Sequence, residues 1–174
     1  MSQDSIVNVI QQGIKGDICF LLKEDRLRGA LLLTLAGIDS MAFLGMDEDK
    51  EQNKKPDYIE WANTYIEFSC SEQVSGLELY AARCGALHAY STEANLHNRN
   101  DCRVIGWMSE STPEIRYEPD VDEQLVLVSI PALARAFFEG VDEFLIDLFS
   151  EDRRAEVAAE RFQKIMHTIP VSEY

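Results

Sequence analysis

The sequence has no long apolar run, no paired cysteines and little positive charge. The longest apolar stretches are broken by Thr34 and then Asp39, short of the roughly 18 residues that a membrane helix needs. The start, MSQDSIVNVIQQG, has no basic segment leading into an apolar one, so no export signal is expected. The four cysteines, Cys19, Cys70, Cys84 and Cys102, are widely spaced and read as reduced thiols. Three enzyme signatures are also missing: the phosphate-cradling G-x-x-x-x-G-K-[ST], the dinucleotide-binding G-x-G-x-x-G and the nucleophile elbow G-x-S-x-G. There is no internal repeat, no low-complexity tract and no evident domain boundary. A cytoplasmic chain with no membrane association is the expectation.

The 174 residues carry 31 acidic and 16 basic side chains, a formal net charge of -15. Such a surface repels polyphosphate at long range, which argues against non-specific nucleic-acid binding by the whole surface. Hydrophobic residues make up 46% of the chain, enough for a globular core without disulfide or metal.

Periodicity predicts mainly helices. Residues 5–12 read as a short helix ended by Gly13 and Gly16. Asp17 then caps a long stretch to Gly45, in which Leu27, Leu31, Leu35 and Ile38 share a face. Residues 46–55, MDEDKEQNKK, read as a loop. Pro56 opens a helix whose Tyr58, Trp61 and Tyr65 form a core face. From residue 77 to about 90, Leu77, Tyr80, Ala81, Cys84 and Leu87 form the expected buried stripe. Residues 103–108 and 124–130 read as strands, with 114–117 a third short one. Together they suggest a small antiparallel β-hairpin over approximately 102–130, inserted among helices. Helices over 131–149, with Leu133, Phe137, Val141 and Leu145 on one face, and 151–166, with Val157, Phe162 and Ile165, complete the chain. The expected class is a single mainly α domain of four to six helices.

The informative string is LYAARCGALHAYS. It places Arg83 five residues before His88, and Tyr90 two residues later. An ideal helix turns through about 140° net over five residues, so Arg83 and His88 meet only if the helix loosens near Gly85 or the arginine wraps round. His88 itself falls on the stripe with Leu77, Ala81 and Cys84. Chemically the pair suits metal-free cleavage of RNA. A histidine can take the proton of a ribose 2′-OH near neutral pH. An arginine supplies a permanent planar cation for the charge developing on phosphorus. Asp39, set among apolar residues, needs a partner if buried, and Arg83 is the expected one. His97, Arg99 and Arg103, in HNRNDCR, are candidates for holding phosphate.

The pattern R-x-x-x-x-H-x-Y, carried by Arg83, His88 and Tyr90, resembles the signature of the HEPN superfamily (higher eukaryotes and prokaryotes nucleotide-binding). The resemblance implies a compact helical bundle, often a metal-independent ribonuclease, with its motifs facing a homodimer cleft and no cofactor. It further implies a toxin-antitoxin or defence setting, with a nucleotidyltransferase-type antitoxin as partner and Tyr90 as a supporting residue open to modification by AMP. On that basis His88 is the general base or acid, Arg83 the phosphate stabiliser and Asp39 the orienter. Cys84 stands where the superfamily usually has a polar residue, and the β-hairpin is an addition to its minimal form. Two rival readings are a zinc site from Cys84, His88, His97 and Cys102, and a non-catalytic HEPN-like module that uses the same cleft for interaction or ligand binding.

Overall fold

In the computed structural model the chain is described over residues 3–89 and 101–164, with side chains over 5–87 and 101–164. It begins with one continuous rod. Helix α1 (Gln3–Val9) runs into a π-helical segment (Ile10–Lys15) and on into α2 (Gly16–Lys23). The break expected at Gly13 and Gly16 is absent, and Gly16 has helical angles, φ −61° and ψ −44°. Glycine in a helix costs only about 1 kcal/mol. Continuing the rod keeps Ile6, Ile10 and Ile18 buried. The ammonium of Lys15, also buried, reaches Asp142 Oδ1 at 2.7 Å and the Phe138 carbonyl at 3.2 Å. The chain turns instead at Asp25, whose φ of 54° lies in the left-handed region that aspartate tolerates. The stretch expected as one helix from Asp17 is therefore α2 followed by α3 (Leu27–Gly45).

Helix α3 is the axis of the fold. Leu31, Leu35, Ile38 and Met41 are buried on it, as the periodicity predicts for the first three. Around it pack α2, α4 (Lys55–Tyr65), α5 (Gly76–Ala89), α6 (Ile130–Phe149) and α7 (Asp152–Phe162). The approach to α6 is close: a methyl group at Gly37 would lie 2.6 Å from Phe137 Cζ. By length and composition α3 qualifies as a bilayer-spanning helix, although half of its 18-residue window is buried inside the fold. A count of uninterrupted apolar residues passes over it.

Tyr58 and Trp61 of α4 are buried as expected, and the indole lies 6.1 Å from the Phe137 ring and 5.8 Å from Phe144, centroid to centroid. The expected faces of α6 (Leu133, Phe137, Val141, Leu145) are buried too. Helix α7 ends at Phe162, and Ile165 lies outside the described residues.

The three expected strands are present, but not as a simple hairpin. Strands β1 (Val104–Met108), β2 (Ile115–Tyr117) and β3 (Leu125–Ser129) form a sheet in the order β1-β3-β2. Strand β2 pairs antiparallel with β3, and β1 pairs parallel with β3, Val104 opposite Leu125. The reason is in the sequence LVLVS: Val126, Val128 and Ser129 are fully buried, so β3 takes the centre. Strand β3 passes directly into α6, whose first turn is capped by Ser129 Oγ accepting from the Ala132 N–H at 3.1 Å. The four cysteines form no disulfide. Buried residues from the helices and the sheet join one apolar cluster.

Candidate functional site

Helix α5 carries the informative string. Ser75 and Glu78 open it with a reciprocal cap. Glu78 Oε2 accepts from the Ser75 N–H at 2.7 Å, and Ser75 Oγ accepts from the Glu78 N–H at 3.3 Å. The face that α5 buries is the expected one only in part. Leu79, Ala81, Ala82 and Ala86 are in the core, while Leu77, Tyr80 and Cys84 are half-buried and Leu87 is exposed. Several small residues make both faces apolar enough to pack, so periodicity alone leaves the choice open. The stripe that shares its spacing with His88 is mixed: Leu77 and Cys84 are half-buried and Ala81 is fully buried. The His88 side chain itself lies outside the described set, as do Tyr90, His97 and Arg99.

Arg83 projects from α5 to α3, where its Nε donates to Asp39 Oδ2 at 2.6 Å. This is the pairing expected from the sequence. The two side chains are 23% and 26% exposed, so the ion pair sits at the surface edge of the bundle. Burial pushes the Asp39 carboxyl above its usual range, and Arg83 only partly offsets that. Burial works against the Arg83 charge as well, but Asp39 prevails and its pKa is raised. Asn53, at the end of the loop before α4, donates from Nδ2 to the Asp39 carbonyl at 3.1 Å and fixes that loop against α3.

On the other side of Arg83 is the Tyr80 ring. The guanidinium carbon lies 6.0 Å from the ring centroid, and Lys55 Nζ lies 5.8 Å from the same centroid. Tyr58 meets Tyr80 edge-on at 5.5 Å, with its own hydroxyl buried and without a hydrogen-bond partner. Asp39, Asn53 and Arg83 also form the polar end of a groove of about 650 Å³. Its walls come from the first rod and α3, with Val9, Ile10, Ile14, Asp17, Leu33 and Phe43 lining it, and Phe162 from α7. Widened helical turns are frequent beside functional sites.

Arg103 does not join this group. Its Nε donates to Glu78 Oε1 at 2.6 Å, Nη1 to Glu72 Oε1 at 2.8 Å and Nη2 to the Gln73 carbonyl at 3.0 Å. Its guanidinium also stacks 4.6 Å from the Tyr117 ring centroid. These contacts tie the start of α5 to the loop before it and to β2. Burial alone would raise the Glu78 pKa, but Arg103 and Ser75 bring it below the ordinary value.

Sequence reading missed Lys55, Asn53 and Tyr80. The polar loop and the helix containing them are evident locally, but nothing local says that they converge on Arg83. Among the described residues no group of three His, Cys, Asp or Glu side chains is placed to hold a metal ion. Of the four zinc candidates, His97 and the His88 side chain lie outside the described set. The chain matches no protein-family model, no curated protein and no solved structure.

Proposed function

We propose that the chain is a HEPN-like module that cleaves RNA without a metal, with Arg83 and His88 as its working pair. The observation that carries this reading is the 2.6 Å bond from Arg83 Nε to Asp39. Using Nε fixes the plane of the guanidinium, so that its terminal nitrogens can address a phosphate as a preformed fork. The half-burial of Cys84, the residue after Arg83, supports the reading too, because α5 is open to solvent at that point.

In this mechanism His88 takes the 2′-OH proton, the 2′-oxygen attacks the adjacent phosphorus, and the bond to the 5′-oxygen breaks. The products are a 2′,3′-cyclic phosphate and a 5′-hydroxyl. Arg83 stabilises the charge on the phosphorane, and Asp39 holds Arg83. One histidine cannot easily be base and acid in the same step, so a two-fold homodimer supplies the second. Tyr90 and Cys84 are supporting residues in this reading, and a nucleotidyltransferase-type antitoxin in a toxin-antitoxin or defence setting in the cytoplasm is the partner it implies.

The test is RNA cleavage in EDTA by wild type, His88→Ala and Arg83→Ala. Loss of about 100-fold or more in each variant is expected, the size seen when one charge-stabilising donor is removed. Equal cleavage by all three proteins overturns the proposal.

A second reading is favoured by the groove. Its largely apolar walls suit a non-catalytic module that binds a small amphipathic ligand, anchored at Asp39 and Asn53. Under that reading RNA stays intact with every variant, and an apolar dye bound to wild type is lost on Ile14→Asp.

A further inference from the structure

Lys55, Tyr80 and Arg83 come from two helices and converge on one aromatic ring. Tyr80 is half-buried, with Tyr58 fixing it edge-on from the core side. Lys55 and Arg83 each place a cation about 6 Å from its centroid. The two cations differ in how they are neutralised. Arg83 is paired with Asp39, and Lys50, in the same loop region, is held by Asp47 and Asp57. Among the described residues no carboxylate pairs with Lys55, which is exposed. Lys23, Lys54 and Lys164 also make no ion pair among the described residues, but of these four lysines Lys55 alone stands over an aromatic ring, beside a paired arginine.

We propose that this cluster holds single-stranded RNA, with one base stacked on Tyr80, Lys55 on a neighbouring phosphate and Arg83 on the phosphate that reacts. The inference rests on the RNA-cleavage reading of Arg83 and extends it to residues outside the motif. The chemistry suits a single strand. Unpaired bases stack on aromatic rings without regard to sequence, and cations track the backbone between them. The acidic remainder of the surface does not prevent this, because at physiological salt its field is screened beyond roughly 8 Å.

The experiment measures binding by fluorescence anisotropy, using a labelled, 2′-O-methylated oligoribonucleotide about ten nucleotides long. The methyl groups block cleavage, so affinity is read separately from catalysis. Lys55→Ala and Tyr80→Leu are each expected to weaken binding about tenfold, whereas Tyr80→Phe keeps the ring and the affinity. Lys55→Ala also lowers the steepness of the salt dependence by about one ion. Lys23→Ala, at the end of α2, leaves both unchanged. Wild-type binding that is unaffected by Lys55→Ala and Tyr80→Leu overturns the inference and leaves the cleavage reading standing. No binding by wild type also overturns the inference, and the cleavage reading is then decided by its own assay in EDTA. If Tyr80→Leu does not fold, Lys55→Ala decides: unchanged affinity and salt slope overturn the inference.

Discussion

Arg83 and Arg103 are both arginines bound to carboxylates, yet their surroundings give them different tasks. Arg103 meets two glutamates, a carbonyl and a ring, and Glu78 beneath it is almost fully buried. Removing Arg103 strands that carboxylate, so Arg103→Ala is expected to cost about 3 kcal/mol, measured by urea unfolding. The pH dependence has a definite sign. Glu78 titrates below its ordinary value of 4.5 in the folded state. Its contribution is therefore present above that pH and is lost as the pH falls through the lowered folded value. Thermal melting of Glu78→Gln between neutral and acid pH should show a shallower acid decline than wild type. Arg83, by contrast, meets a single carboxylate at the surface. Asp39→Ala is expected to reduce cleavage by about tenfold or more, as for the loss of a group that orients another. The pairing of Arg83 with Asp39 was readable in the sequence because a carboxylate among apolar residues needs a cation. The approach of Lys55 to Tyr80 was not, since it depends on how α4 crosses α5.

At the scale of elements, apolar spacing predicts α6 most clearly, because one of its faces is buried and the other exposed, while the apolar content and the turn residues between them predict α3, α4 and the three strands. It failed where the contrast is weak. On α5 small residues occur on both sides, so the expected stripe is fully buried only at Ala81. In the first rod, glycine was read as a stop although tertiary contacts keep the helix going. The sheet order was also illegible, because strand pairing depends on which strand is most deeply buried. These glycines yield a paired prediction. No atom stands within 4 Å of a methyl group built at Gly13, so Gly13→Ala is expected to add about 0.5–1 kcal/mol of stability. At Gly37 the methyl would overlap the Phe137 ring, and Gly37→Ala should cost about 1–3 kcal/mol. Urea midpoints of the two variants would separate the cases.

At the scale of the whole molecule, charge governs association. Two copies brought together would each carry the formal charge of -15. The homodimer that the cleavage mechanism requires must therefore form against mutual repulsion, which added salt relieves. Sedimentation at low and moderate ionic strength should show the dimer fraction rising with salt, opposite to the trend expected for RNA binding. A monomer at every salt concentration would leave the mechanism without its second histidine.

The wide turn at Ile10–Lys15 has a consequence for the tolerated length of the chain. Its i→i+5 bonds fit one extra residue into the turn, so six residues sweep about the angle that five sweep in an ordinary helix. Deleting one residue inside the segment would therefore leave a regular helix with Ile6 and Ile18 still on the buried side. The same deletion inside α2 has no slack to absorb it and would swing α1 by about 100°, carrying Ile6 out of the interior.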